Sequence, residues 1–142
     1  MSQVKERVEE LMRQYARTNE GGDYEQMARY FAPAFVAAGP AGAQVVKRDD
    51  FAAALPKRKQ MFEAWGHRSS SLTRMEVTEI DPRRALVRTE WRMEFVLNDA
   101  KEEVLEVASI FLVEEREQRW EIVLYQACQD IAAMVKERGW IG

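Results

Sequence analysis

The hydrophobic period of this chain changes once, and that change limits what it can fold into. Through roughly the first sixty residues the apolar side chains recur at helical spacing. Through nearly all the rest they follow the two-residue alternation of strands. Helices first and a run of hairpin-connected strands afterwards reads as α+β: an antiparallel meander sheet with the helices packed on one face.

Val4, Val8, Leu11, Met12 and Tyr15 form the apolar stripe of a first helix, with Lys5, Glu6, Glu9, Glu10 and Arg13 on the other side. Gly21 and Gly22 stop it. Asp23 is placed to cap a second helix carrying Tyr24, Met27, Tyr30 and Phe31, and Pro33 should end it. Residues 35–39 and 44–46 read as short strands around a turn from Gly39 to Gly42. Asp49 is the expected cap of a third helix, which Pro56 should kink or restart and Gly66 should end. Strands are expected over 71–80, 85–95, 104–113 and 120–130. In 85–95 the odd positions are mostly apolar and the even ones mostly charged, so one face looks toward the helices and one toward water. The tail to Trp140 fits either a short helix or a segment draped over the sheet edge.

With 142 residues, a single domain over 1–142 is expected. The net charge is −3, from 21 basic and 24 acidic side chains that are interleaved rather than blocked. No basic stripe points to nucleic acid. No apolar run approaches the ~18 residues of a membrane span. The charged N-terminus has no signal-peptide core, and Cys128 is the one cysteine, which together fit a reducing cytoplasm.

Asn19, Glu20, Gly21, Gly22 and Asp23 after an amphipathic helix, then Met27, Tyr30, Phe31 and Ala32, a hairpin, a third helix and a long meander resemble the nuclear transport factor 2-like superfamily. That group includes ketosteroid isomerase, scytalone dehydratase and polyketide cyclases. The resemblance implies a curved sheet wrapped around three helices as a cone, with an apolar pocket at its open end. It also implies dimers through the outer sheet face. Function does not follow from such a fold.

The resemblance puts the isomerase tyrosine donor at Tyr15, the base aspartate at Gly39 and the protonated aspartic acid near Ser109. Glycine offers no side-chain base, so steroid-isomerase chemistry is not expected. His67, the single histidine, is the other acid–base candidate, with Asp130 as a conceivable partner. Its place after Gly66 better suits a solvated histidine at a helix end, and Tyr15 better suits a core ring. One histidine and one cysteine about sixty residues apart give no metal-ligand spacing, and no cofactor motif is present. Lys47 and Arg48 read as a surface pair.

The expected pocket lining is Tyr15, Trp65, Thr89, Trp91, Met93, Ser109 and Phe111, with Phe95 nearby and either Tyr125 or Gln126 facing in. Ala108, Ile110 and Leu112 should face outward and form an apolar patch suited to a homodimer. Three readings follow: a binder of a small apolar molecule, which is the leading one; a dehydratase, cyclase or isomerase using His67 or Asp130 as base and Tyr15 to polarise a carbonyl; and an interaction module with a vestigial pocket. The binder reading expects a hollow almost without ionisable groups.

Overall fold

The computed structural model describes residues 3–140, apart from the side chain of Tyr24. The order is α1 (Gln3–Gly21), α2 (Tyr24–Arg29), β1 (Phe31–Gly39), β2 (Gly42–Lys47), α3 (Arg48–Ala64), β3 (His67–Asp81), β4 (Arg84–Val96), β5 (Glu102–Arg116), β6 (Arg119–Ala127) and α4 (Ile131–Glu137). The six strands make one curved sheet in the order β2-β1-β6-β5-β4-β3. It is mixed rather than purely antiparallel, because β1 runs parallel to β6.

Helix α1 buries Val8, Met12, Tyr15 and Ala16, the stripe expected from its spacing. Asp23 caps α2, accepting the Gln26 N–H at 3.1 Å. Pro33 does not end that helix. The chain is already extended at Phe31, because the Tyr30 carbonyl accepts the Ile122 N–H at 2.8 Å and Phe31, Ala32 and Phe35 are buried. Pro33 falls where the β1–β6 register is interrupted between Phe31 and Val36, so its missing N–H costs no ladder bond.

Asp49 does not cap α3. Lys47 holds that position with no side-chain cap bond, and Asp49 and Asp50 sit in the first turn, where their charges suit the helix dipole. The helix runs through exposed Pro56 without restarting, giving up the hydrogen bond that a proline cannot donate. Arg48 is half-buried rather than a surface residue. It donates to the Phe31 carbonyl at 3.3 Å and lies 4.0 Å from the buried Glu121 carboxylate.

In β4, Ala85, Val87, Thr89, Trp91, Met93 and Phe95 are all buried, as the alternation predicts. On β5 the inward set is Leu105, Val107, Ser109, Phe111 and Val113, all buried except the half-buried Val107. The register pairs Phe111 with Tyr125, so Tyr125 faces in and Gln126 faces out. Two apolar clusters result. The larger centres on Tyr15, Phe31, Phe35, Trp91 and Phe111; the smaller on Met93, Phe95, Leu105 and Val135. The tail forms a helix, α4, whose Val135 is fully buried, and Trp140 packs on Phe95 with ring centroids 5.2 Å apart. Residues 141–142 lie outside the described region.

The outer sheet face divides in two. Toward β3 it is charged, with Arg74 opposite Glu90 and Glu76 opposite Arg88. Toward β2 it is apolar: Leu86, Leu112, Leu124, Val36 and Val45 follow one another across five strands. Val45 is 75% exposed and Leu86 40%. Ala108, expected in this patch, is buried within the chain, its N–H donating to Gln129 Oε1 at 2.8 Å. Ile110 and Leu112 are only half-buried.

Candidate functional site

At the seam between the two clusters lies a cavity of about 700 Å³, open to solvent. The concave sheet face supplies Trp91 and Met93 from β4, Val107, Ser109 and Phe111 from β5, and Tyr125 from β6. Helices add Tyr15 and Asn19 from α1, Leu55, Arg58, Lys59, Phe62 and Glu63 from α3, and Ile131 from α4. The first residues of β3, His67 to Ser70, complete the rim.

Burial separates a floor from a mouth. Tyr15, Trp91, Met93, Ser109 and Phe111 are buried, whereas Glu20, Lys59, Glu63, Arg68 and Ser69 are exposed. The floor is therefore apolar, with hydroxyl groups as its polar handles. The mouth is ionisable, contrary to the expectation of a hollow almost without charged lining. Spacing could not reveal this, because the charged side chains come from three elements that meet only in the folded chain.

Tyr15 is the hub of the floor. Its ring meets Tyr30, Phe31, Trp91 and Phe111 edge-on at centroid separations of 5.5–6.2 Å. Burial, and secondarily the neighbouring Tyr125 phenol, push its pKa well above the ordinary tyrosine value. It is held as a neutral phenol, able to donate a hydrogen bond.

His67 is not the solvated histidine of a helix end. It opens β3, is half-buried, and meets the rings of Phe62 and Phe95 edge-on. Its Nε2 lies 2.8 Å from Ser70 Oγ. Desolvation lowers its pKa below the usual histidine value, outweighing the bond that the imidazole donates to the Ser69 backbone carbonyl and the charge of Glu63. The imidazole is therefore neutral at neutral pH.

Gly66 makes this placement possible. Its φ of +96° turns the chain from α3 into β3, its N–H donates to the Glu63 carbonyl at 2.9 Å, and its own carbonyl accepts the Val96 N–H at 2.8 Å. A Cβ there would stand 2.2 Å from the Val96 carbonyl oxygen.

Of the seven residues expected in the lining, Tyr15, Trp91, Met93, Ser109 and Phe111 are there and two are not. Thr89 is fully buried behind the wall. It donates to the Ser109 carbonyl at 3.0 Å and accepts the Trp91 indole N–H at 2.8 Å, so it positions Trp91 instead. Trp65, at the end of α3, turns away from the cavity and stacks on Phe62 with centroids 5.3 Å apart. Asp130 does not face the cavity or partner His67. It is exposed and caps α4, accepting the Ala133 N–H at 3.0 Å. Sequence reasoning missed Arg58, Lys59 and Arg68.

Among the described residues no group of three or more His, Cys, Asp or Glu side chains gathers as a metal site. Nor is any described helix long and apolar enough to cross a membrane.

Sheet, helices and cavity together define an NTF2-like fold. The chain belongs to the family described as NTF2-like protein (DUF6841), which it matches over residues 3–130. No curated protein matches it in sequence. An NTF2-like protein with a cystatin-like fold from Novosphingobium aromaticivorans is 17% identical, with a TM-score of 0.72 over 97% of this chain and 88% of that one. A ketosteroid isomerase-like protein from Erwinia carotovora atroseptica is also 17% identical, with a TM-score of 0.70 over 90% of this chain and 97% of that one. A candidate scytalone dehydratase from Novosphingobium aromaticivorans is 14% identical, with a TM-score of 0.67 over 87% of this chain and 82% of that one. At such identities the likeness is one of fold.

Proposed function

We propose that this chain binds a small, largely apolar molecule in the cavity. The observation that carries this reading is a hollow of about 700 Å³ whose buried floor is aromatic and aliphatic beneath a charged mouth. Ligand sites typically occupy about 300–1,000 Å³ and are lined mainly by apolar side chains with a few placed polar groups, as this floor is. The floor offers the Tyr15, Ser109 and Tyr125 hydroxyls to orient a guest. Filling the hollow tests the reading. Ser109→Phe places a ring in the wall, and binding of the neutral fluorescent probe N-phenyl-1-naphthylamine should fall at least about tenfold, a loss of ~1.4 kcal/mol. Unchanged binding by a folded variant would place the guest elsewhere.

One observation favours catalysis as a second reading. A neutral imidazole and a neutral phenol share one cavity, which is the pairing needed to abstract a proton beside a carbonyl and steady the resulting enolate. Under this reading His67 is the base and Asp130 has no part. Exchange of the α-protons of 2-tetralone in deuterated buffer, followed by NMR, would be accelerated by the wild type and not by His67→Gln. Equal rates for the two proteins would remove it.

The apolar half of the outer face suits a second copy of the chain. The strip from Leu86 to Val45 crosses five strands and is bordered by charge, and such surfaces are seldom left bare. Sedimentation velocity at micromolar concentration should show a dimer, and Leu112→Glu should dissociate it. A wild-type monomer would refute the interface.

A further inference from the structure

We propose that the molecule bound in the cavity is an amphipathic organic anion, its apolar body on the aromatic floor and its acidic head at the mouth against Arg58. This rests on the binding reading above and names its ligand class.

The chain as a whole is acidic, with a net charge of −3, yet the cavity mouth is not. Its lining holds three cations, Arg58, Lys59 and Arg68, against two anions, Glu20 and Glu63. Lys59 and Glu63 lie 3.6 Å apart and largely cancel. Two guanidinium groups are left facing one carboxylate, Glu20, which is exposed and therefore well screened. Among the described residues no carboxylate forms an ion pair with Arg58 or Arg68.

Arg58 is the better placed of the two. It is half-buried, whereas Arg68 is exposed. Its guanidinium carbon sits 5.0 Å from the centroid of Phe62, itself a lining residue. That contact is with a ring and not with an oxygen acceptor, so the N–H donors of the fork remain for another partner. Its charge is felt both at Tyr15 on the floor and at His67 on the rim. A planar fork with spare donors, at the border of an apolar hollow and water, matches a carboxylate or sulfonate in geometry and charge. Such a head can stay partly hydrated, so it avoids the cost of burying an ion.

Two fluorescent probes that differ by one acidic group test this. 8-Anilinonaphthalene-1-sulfonate carries the charge, and N-phenyl-1-naphthylamine is the same skeleton without it. At low salt the sulfonate should bind about tenfold more tightly, as expected for one charge-assisted contact. Arg58→Gln should remove that preference, bringing the two probes' affinities to within about twofold of each other. Rising salt should erode the sulfonate's advantage and spare the neutral probe. Equal affinities in the wild type, or a preference that survives Arg58→Gln, would overturn the inference alone. Sulfonate binding that survives Ser109→Phe would also overturn it, because the probe would then sit on the surface. Failure of both probes to bind would overturn the binding reading and this inference with it.

Discussion

Gly66→Ala should be among the most damaging single-methyl additions available to this chain. Two costs add. The first is conformational: a φ of +96° is a backbone state that L side chains rarely adopt, worth about 1–3 kcal/mol. The second is steric. The new Cβ would lie 2.2 Å from the Val96 carbonyl oxygen and 3.0 Å from its carbon, and both are backbone atoms that cannot swing aside. Relief requires β3 to part from β4 at this end, which sacrifices the 2.8 Å bond between Gly66 and Val96, worth about 1 kcal/mol. A total near 3 kcal/mol is expected, and for a chain of this size about 3 °C per kcal/mol gives a Tm lowered by about 9 °C. Gly139→Ala is the control. Its φ is also positive, at +72°, but a Cβ there meets nothing within 4 Å, so it carries only the first cost. Thermal melts of both variants, with guanidinium titrations to verify unchanged m-values, separate the two. If Gly66→Ala melts within about 2 °C of Gly139→Ala, the steric argument fails. Because Gly66 delivers His67 to the rim, the variant should also weaken probe binding.

Two further outcomes follow from the side chains around the site. The folded chain holds His67 neutral with a lowered pKa, so between that value and the ordinary 6.5 the unfolded chain binds more protons. Stability should therefore fall as pH drops through this window, and His67→Gln should lose that component, seen as the difference between the two proteins' unfolding free energies from pH 7.5 to 5; parallel profiles would contradict it. Asp130→Ala should cost about 1 kcal/mol by uncapping α4, without altering neutral-probe affinity. A tenfold loss of affinity in that variant would return Asp130 to the site.

Strand parity was legible because it is local. The run from Ala85 to Phe95 alternates so cleanly that its buried face could be read residue by residue. Parity gives direction but not depth, however, and Thr89 shows the difference: it points inward yet serves as a bracket behind Trp91 rather than as lining. Trp65 failed for a related reason. It closes α3 one residue before a positive-φ glycine, where the helical period no longer says which way a ring turns. Arg58 was invisible because Pro56 and a weakly amphipathic stretch hide which side of α3 meets the sheet. The histidine misled because a glycine-to-histidine step at a helix end ordinarily exposes the ring, whereas here it begins a strand. The tyrosine choice on β6 needed the register with β5, which no single strand carries.

The parallel seam between β1 and β6 has a consequence for synthesis. Phe31 adjoins Ile122 and the Arg119 guanidinium donates to the Arg29 carbonyl at 3.0 Å, so residues some ninety positions apart join the two parts of the sheet. During translation the β1–β2 hairpin must wait beside the ribosome, without its partner strand, until β6 has emerged. Non-local pairing of this sort slows folding. A nascent chain stalled before Arg119 should keep that hairpin open to proteases and chaperones, and a few dozen additional residues should lock it.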